Sequence, residues 1–149
     1  MTAATLHTRF GPVSLREVGG RIVALDWHAA AGEATDLQAE GLRQLAEYLD
    51  GQRQVFDLPL DWGQGLHERV RRAMAAIPFG ETRTYGEISA MVDAPAQAVG
   101  QACGANPIPL IIPCHRVLGA RGLGGFSAPG GVETKVALLR HEGAAGLLI

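Results

Sequence analysis

One short stretch of the chain, Ile112-Pro113-Cys114-His115-Arg116-Val117, carries residues that could do chemistry. A cysteine attacks as its thiolate, and a neighbouring base or positive charge makes the thiolate easier to form. Cys114 directly precedes His115, so this pair could be an activated nucleophile. The apolar run 109–112 predicts a strand that ends at the proline and holds the thiol at the mouth of a buried site. A buried, inert cysteine is the alternative that adjacency alone leaves open.

The first half of the chain predicts a small β-meander followed by one helix. β-Branched and alternating runs indicate strands, Gly19-Gly20 indicates a hairpin turn, and helically spaced leucines indicate a helix. The predicted strands are 5–10, 13–18 and 21–27, and the helix is 36–49. No chemistry is evident in this half. We therefore predict a structural subdomain at 1–58, a linker at 59–65, and a functional domain at 66–149.

The second half predicts mainly helices. Apolar spacing and turn residues indicate helices at 66–77, 85–92, 96–105 and 132–141, with a glycine-rich loop at 118–131. The second and third of these, joined by Asp93-Ala94-Pro95, have the arrangement of a helix-turn-helix. The small residues of helix 96–105 fit either close packing or close approach to a nucleic-acid backbone, and Cys103 is predicted to be one of its packed residues. The predicted fold class is α/β, with a winged-helix-like second subdomain.

Composition excludes several classes of protein. Two cysteines and five scattered histidines predict neither a disulfide framework nor a metal site, and no phosphate-binding glycine motif is present, so we expect no cofactor. Without a signal peptide or a bilayer-length apolar run, we expect a cytoplasmic protein with no membrane partner. Residues 1–62 hold five arginines and nine acidic residues, net -4, whereas residues 63–149 hold eight basic and six acidic residues, net +2. The second half is therefore the place to look for a polyanion site.

A series of motifs in the second half carries a family resemblance. In one order come Ile77-Pro78-Phe79-Gly80, Thr84-Tyr85-Gly86, Ala98-Val99-Gly100, Asn106-Pro107, the Cys114 stretch, Gly124-Gly125-Phe126-Ser127, Lys135, and Leu138-Leu139-Arg140-His141-Glu142-Gly143. Over residues 66–143 the chain resembles the C-terminal domain of the O6-alkylguanine-DNA alkyltransferases, the suicide DNA-repair proteins. Residues 1–58 look like the variable N-terminal domain of that family, with less specificity.

The resemblance implies a reaction and the residues that perform it. Cys114 would accept an alkyl group from the guanine oxygen in one irreversible displacement. His115 would act as the base through a bridging water, and Glu142 would orient it, which is the usual series of nucleophile, base and orienting group. Asn106 would brace the segment that leads to Cys114.

The resemblance also implies a pocket for the base. Tyr85 would donate its hydroxyl to a ring nitrogen of guanine, while the backbone carbonyls of Cys114 and Val117 accept the exocyclic amine. Ser127 would contact the modified oxygen and Lys135 would support the pocket. For Ser127 and Lys135, a place on a solvated surface loop is the alternative.

The implied partner is DNA that contains O6-alkylguanine, approached from the minor groove by a monomer that flips the base out. Contacts with DNA fall on Thr84, Ala96, Gln97 and Arg116. The family usually has an arginine at the position of Gln97, where it fills the gap that the flipped base leaves. Glutamine is shorter and uncharged, and the turn before it also looks shorter, so we expect weaker or slower repair of duplex DNA. The glycine loop departs from the family pattern as well, so the sequence does not predict how wide the pocket is or which alkyl groups it accepts.

Other functions fit parts of the pattern. A lesion-sensing DNA-binding protein with weak or no duplex repair would fit Gln97. A cysteine hydrolase would use Cys114, His115 and Glu142, but the sequence offers no evident oxyanion hole. A helix-turn-helix regulator would bind DNA without needing the thiol.

Overall fold

The computed structural model describes residues 2–144, and the chain forms two compact units that divide between Asp61 and Trp62. This division falls inside segment 59–65, which the sequence predicts to be a linker. Both units mix helix and strand, in agreement with the predicted α/β class. No helix within residues 2–144 is long and apolar enough to cross a membrane.

The first unit is a three-stranded antiparallel sheet with one helix. Its elements are β1 (Leu6–Thr8), β2 (Gly11–Val18), β3 (Arg21–Asp26) and α1 (Asp36–Leu49). The strands lie in the order β1-β2-β3, and Gly19 and Gly20 both adopt positive φ in the turn between β2 and β3. Such a turn matches the twist of the strands it joins. Val13, Leu15 and Ile22 of the sheet and Leu45 and Tyr48 of the helix are buried and form the core of this unit.

The second unit is mainly helical. Its elements are α2 (Gly65–Ala75), β4 (Arg83–Thr84), α3 (Tyr85–Val92), α4 (Ala96–Gly104), a 3-10 turn (Cys114–Arg116), β5 (Val117–Leu118) and α5 (Val132–His141). Helices α2, α3 and α4 pack against one another. β4 and β5 form a short parallel pair in which Arg83 lies opposite Val117. This pairing ties the start of α3 to the segment that follows Cys114.

The α3–α4 pair has the predicted helix-turn-helix arrangement. α3 starts with a capping box, in which the Thr84 hydroxyl accepts from the Glu87 amide at 3.1 Å and the Glu87 carboxylate accepts from the Thr84 amide at 2.9 Å. Asp93 ends α3 with a left-handed φ of 54°, and Pro95 is the N-cap of α4. Tyr85 is therefore the first residue of a firmly started helix.

The strand predicted for residues 109–112 is wrong. The segment makes tight turns, with the Ile112 amide donating to the Ile108 carbonyl at 2.9 Å and the Ile111 amide to the Pro109 carbonyl at 2.8 Å. Leu110 has a left-handed φ of 69°, and Pro109 has no amide hydrogen to give to a sheet. The apolar side chains are still buried, because they fill the core of the unit instead of pairing in a ladder.

Candidate active site

The Cys114 thiol lies on a cavity of about 320 Å³ in the second unit. Four stretches of chain form its walls. The lining residues are Tyr85 of α3; Gly100, Cys103 and Gly104 of α4; Asn106, Pro109 and Cys114; and Gly125, Phe126 and Ser127 of the glycine loop. The sequence predicts four of these as site residues, namely Cys114, Tyr85, Asn106 and Ser127, and the fold brings all four together.

Cys114 begins the 3-10 turn and is partly buried. Burial raises the pKa of its thiol above the ordinary value, while a hydrogen bond from the Asn106 side chain and the positive charge of Lys135 act in the opposite direction. Burial disfavours the charged form of any thiol. The resting sulfur is therefore a thiol, and a reaction that needs the thiolate also needs a base.

His115, the next residue in the chain, is the candidate for that base. Its ring is fully buried, and Nε2 lies 2.7 Å from the Glu142 carboxylate. A carboxylate only accepts hydrogen bonds, so Nε2 carries the proton and Nδ1 holds a lone pair. Burial lowers the pKa of His115 below the usual 6.5 against the opposing pull of Glu142, which keeps the ring neutral. Nδ1 has no hydrogen-bond partner among the described residues and is available to accept a proton.

Arg116 corrects one prediction, because it does not face DNA. Its residue is only 5% exposed, and its guanidinium donates to both oxygens of Glu142, at 2.8 and 3.0 Å. A third donation, at 2.6 Å, goes to the Ile77 carbonyl. The predicted contact of Arg116 with DNA is wrong, since the burial that its ion pair requires removes it from the surface. The guanidinium instead fixes the carboxylate that His115 contacts.

Asn106 lies two residues beyond α4 and holds the turn segment in place. Its Oδ1 accepts from the Ile108 amide at 3.1 Å, and its Nδ2 donates to the Ile112 carbonyl at 2.9 Å. The same side chain hydrogen-bonds Cys114. Asn106 thus sets the path of the chain into the thiol and also touches the sulfur.

Lys135 of α5 is completely buried and fastens the glycine loop. Its ammonium donates to the Val117 carbonyl at 2.7 Å and to the Gly125 carbonyl at 3.1 Å, and burial lowers its pKa to about 8. The surface-loop alternative is excluded for this residue. The Val117 carbonyl has a second lone pair, so accepting from Lys135 does not prevent it from accepting from a ligand. Ser127 is exposed at the cavity wall.

Tyr85 faces the glycine loop across the cavity. A Cβ at Gly124 would lie 3.3 Å from the Tyr85 ring, and Gly124 has a φ of +73°. Glycine at this position lets the loop come close to the phenol. Burial, and then the two nearby thiols, raise the pKa of Tyr85 above its ordinary value, so the hydroxyl keeps its proton and can donate it.

The predicted DNA contacts at the helix-turn-helix have different surroundings. Ala96 and Gln97 are exposed in the first turn of α4. Thr84 is partly buried, and its hydroxyl serves the cap of α3.

Among the lining residues that the sequence analysis did not assign to the site, Cys103 carries a thiol and Phe126 carries an aromatic ring. Cys103 is buried at 5% exposure, and it lines the same cavity as Cys114. Burial, reinforced by Cys114, raises the pKa of Cys103 to about 12, so it is a neutral wall and not a second nucleophile. Phe126 presents its ring edge-on to His115, with centroids 6.4 Å apart. The helical spacing of Cys103 from Gly100 was the signal that could have found it.

The described residues contain no group of three His, Cys, Asp or Glu side chains placed to hold a metal ion. What the arrangement can do chemically follows from its parts. A neutral, oriented base beside a protonated thiol, on a cavity with a phenol donor, suits attack by sulfur on a small electrophilic carbon.

Comparison with known proteins gives one consistent result. A family model described as 6-O-methylguanine DNA methyltransferase, DNA binding domain, matches residues 65–144. A methylated-DNA–protein-cysteine methyltransferase of Mycolicibacterium paratuberculosis is 47% identical over 108 residues, which cover 70% of this chain and 64% of that protein. The match therefore spans less than two thirds of the length of this relative. The constitutive methylated-DNA–protein-cysteine methyltransferase of Bacillus subtilis is 35% identical, and the match covers 93% of each chain.

A solved structure extends the likeness to the fold. Mycobacterium tuberculosis OGT in complex with DNA superposes with a TM-score of 0.82 at 38% identity, covering 94% of this chain and 91% of that one.

Proposed function

The chain belongs to the O6-methylguanine-DNA methyltransferase family, and on that premise we propose that it repairs DNA by moving a methyl or other small alkyl group from guanine O6 to the Cys114 sulfur. One observation carries the proposal. The Cys114 thiol lies on a cavity next to His115, a neutral base that Glu142 holds in one orientation. The raised pKa of the thiol makes that base necessary.

Proton transfer prepares the nucleophile. Nδ1 of His115 takes the proton of Cys114, directly or through a bridging water, and Nε2 keeps its hydrogen bond to Glu142. The imidazolium that forms is stabilised by the carboxylate at 2.7 Å. Asn106 and Lys135 stabilise the thiolate, since both favour the charged sulfur.

The displacement itself exchanges one bond for another. The sulfur forms a bond to the alkyl carbon while the carbon–O6 bond breaks and its electron pair passes to the purine. Tyr85 donates its proton to a ring nitrogen, so guanine leaves as a neutral base, and the imidazolium proton restores the phenol. The products are guanine and a Cys114 thioether. A thioether is a poor leaving group, so each molecule reacts once.

The approach to DNA is part of the same proposal. α4 enters the minor groove, Gln97 occupies the gap left by the flipped base, and the base enters the Cys114 cavity. The protein acts as a cytoplasmic monomer, in a compartment where a free thiol persists. The match to a DNA-binding domain over 65–144 and the likeness to a DNA-bound relative support DNA as the partner.

The lesion-sensing alternative loses support. Relatives that are 50% identical over 103 residues are named as methyltransferases. The thiol, base and carboxylate that such a sensor would not need are assembled and buried here.

Intact-protein mass spectrometry tests the proposal. The protein is incubated with a duplex that carries one O6-methylguanine, and we expect a single methyl adduct per molecule that accumulates without turnover. Cys114→Ala should gain none. Cys103→Ser removes the other cysteine of the chain, which lines the same cavity, and should still gain the adduct on Cys114. An adduct that persists in Cys114→Ala, or a reaction that continues beyond one equivalent, would refute the proposal.

A further inference from the structure

α4 presents a face without charge at the rim of the cavity. Its sequence from Ala96 to Gly104 contains no ionisable group except the thiol of Cys103, which is buried and neutral. Gln97, Gln101 and Gly104 are exposed and, being three or four residues apart, lie on one face. Gly104 also lines the cavity. This face, defined by these three residues, is the amide face of α4.

The surrounding helix-turn-helix supplies no free positive charge either. Between residues 83 and 105 the ionic side chains are Arg83, Glu87 and Asp93. The Arg83 guanidinium donates to Glu81 at 3.2 Å and to the Thr82 carbonyl at 2.8 Å. Non-specific attraction of DNA depends on Lys and Arg at phosphates. Contacts of the amide face with DNA must therefore be mostly neutral hydrogen bonds and close packing.

The two glutamines suit that role. Neither side-chain amide hydrogen-bonds another of the described residues, and both are exposed. They are four residues apart, about 6 Å along the helix axis, so along a groove parallel to that axis they reach base pairs about two steps apart. An amide offers both a donor and an acceptor, which match the acceptors of A·T pairs and the amine of G·C pairs in the minor groove.

We propose that Gln101 is a second DNA-reading residue, which hydrogen-bonds the minor-groove edge of a base pair about two steps from the lesion while Gln97 occupies the flipped-out position. Gln101 lies between Gly100 and Gly104, which both line the cavity. A Cβ at either glycine would meet nothing within 4 Å, so the space beside both is open. Because these positions carry no side chain, the backbone of α4 can approach the floor of the groove closely. The contact of Gln101 fixes the register of the helix relative to the flipped base. This inference depends on the proposed function.

The test separates DNA reading from chemistry. Alkyl-transfer rates are measured with an O6-methylguanine duplex and with free O6-benzylguanine, which needs no DNA. We expect Gln101→Ala to slow the duplex reaction about three- to tenfold, the effect of one net hydrogen bond, without slowing the free-base reaction. Alanine is a better helix former than glutamine, so loss of α4 is not a competing cause. Gln52→Ala, an exposed glutamine of the first unit, is the matched control.

Two further readouts identify the contact as a base edge. The two base pairs on each side of the lesion are changed in turn between A·T and G·C, and the wild type should distinguish them at one position where Gln101→Ala does not. The dependence of duplex binding on salt should be the same in both proteins, because the lost contact is neutral. Equal duplex rates, an equal slowing of the free-base reaction, or a reduced salt dependence would each overturn the inference. If the wild type alkylates itself with neither substrate, the proposed function fails instead.

Discussion

The two units use the same charged residue types in opposite ways. In the first unit, Arg43 pairs with Glu40 and Glu47 on the outside of α1, and the Arg43 side chain is 53% exposed. In the second, Glu142 and Arg116 pair at 0% and 6% side-chain exposure. Exposed pairs are screened by water and contribute little, whereas a buried charge must have its partner. Burial is what turns an ordinary ion pair into part of a reaction site.

Removing one buried partner should give the largest effect. Glu142→Ala leaves the Arg116 guanidinium buried without its carboxylate and lets the His115 ring turn. We expect the free energy of unfolding to fall by about 3–5 kcal/mol, as in other broken buried pairs. Urea denaturation followed by circular dichroism measures this change, and the mass assay should show no alkyl transfer.

Glu47→Ala is the matched control from the first unit, where Glu47 contacts Arg43 and Arg53. We expect it to cost less than about 1 kcal/mol. An equal fall in the free energy of unfolding for Glu142→Ala and Glu47→Ala would show that the buried pair contributes no more to stability than the exposed one.

The pH dependence of alkyl transfer tests a second effect of burial in the second unit, the shifted pKa values of His115 and Cys114. Burial lowers the pKa of His115 and raises that of Cys114, so the neutral base persists through neutral pH and the free thiolate is scarce. We expect the rate with free O6-benzylguanine to be flat from pH 7 to 8. It should fall about tenfold per pH unit once the pH is below the lowered pKa of His115. A rate that climbs tenfold per unit from pH 6 to 8 would mean that the thiolate forms without His115.

Lys135 offers a smaller, more local test. Lys135→Met removes the donation to Val117 of β5, the donation to Gly125 of the glycine loop and the positive charge near the thiol. We expect the rate to fall on the order of tenfold with either substrate, because the cavity wall loses its position. The free energy of unfolding should change less than in Glu142→Ala. The variant leaves the Val117 and Gly125 carbonyls without their donor, but it also removes a buried ammonium that is costly to desolvate. Arg140→Met, at an exposed position of the same helix, should leave both quantities unchanged.

The smallest effect belongs to the surface. Gln97→Arg adds a guanidinium that can stack on the orphaned base, so the duplex reaction should speed up a few-fold while the free-base reaction stays the same. Parallel rate measurements on the two substrates decide this. No gain on duplex DNA would show that Gln97 is not what limits base flipping.

Local patterns predicted the regular elements well. Helices 36–49, 85–92 and 132–141 have the predicted bounds, because apolar spacing and the Thr84 cap are encoded within a few residues. Adjacency indicated Cys114 and His115 as a candidate pair, whereas Glu142 followed only from the family resemblance, since it lies 27 residues beyond His115.

What failed depends on distant contacts. The apolar run 109–112 has the composition of a strand, yet Leu110 turns into the left-handed region because Asn106 holds the chain on both sides of it. The sequence near Arg116 suggests a surface residue that contacts DNA. Its burial follows from pairing with the Glu142 carboxylate, 26 residues further along the chain. Cys103 is packed, as predicted, but its place in the wall of the Cys114 cavity was not predicted. A short stretch of sequence does not contain the information that predicts these contacts.

The partners of Arg116 have a consequence for how the molecule is made. Its guanidinium joins the Ile77 carbonyl, 39 residues earlier, to Glu142, 26 residues later. Contacts between such distant parts of a chain require long loops to close, which slows folding. On the ribosome, Cys114 is synthesised before Glu142, so a nascent chain carries the thiol before the oriented His115 ring and the cavity have formed. The Cys114 site is therefore complete only after α5 and Glu142 have been synthesised and have packed.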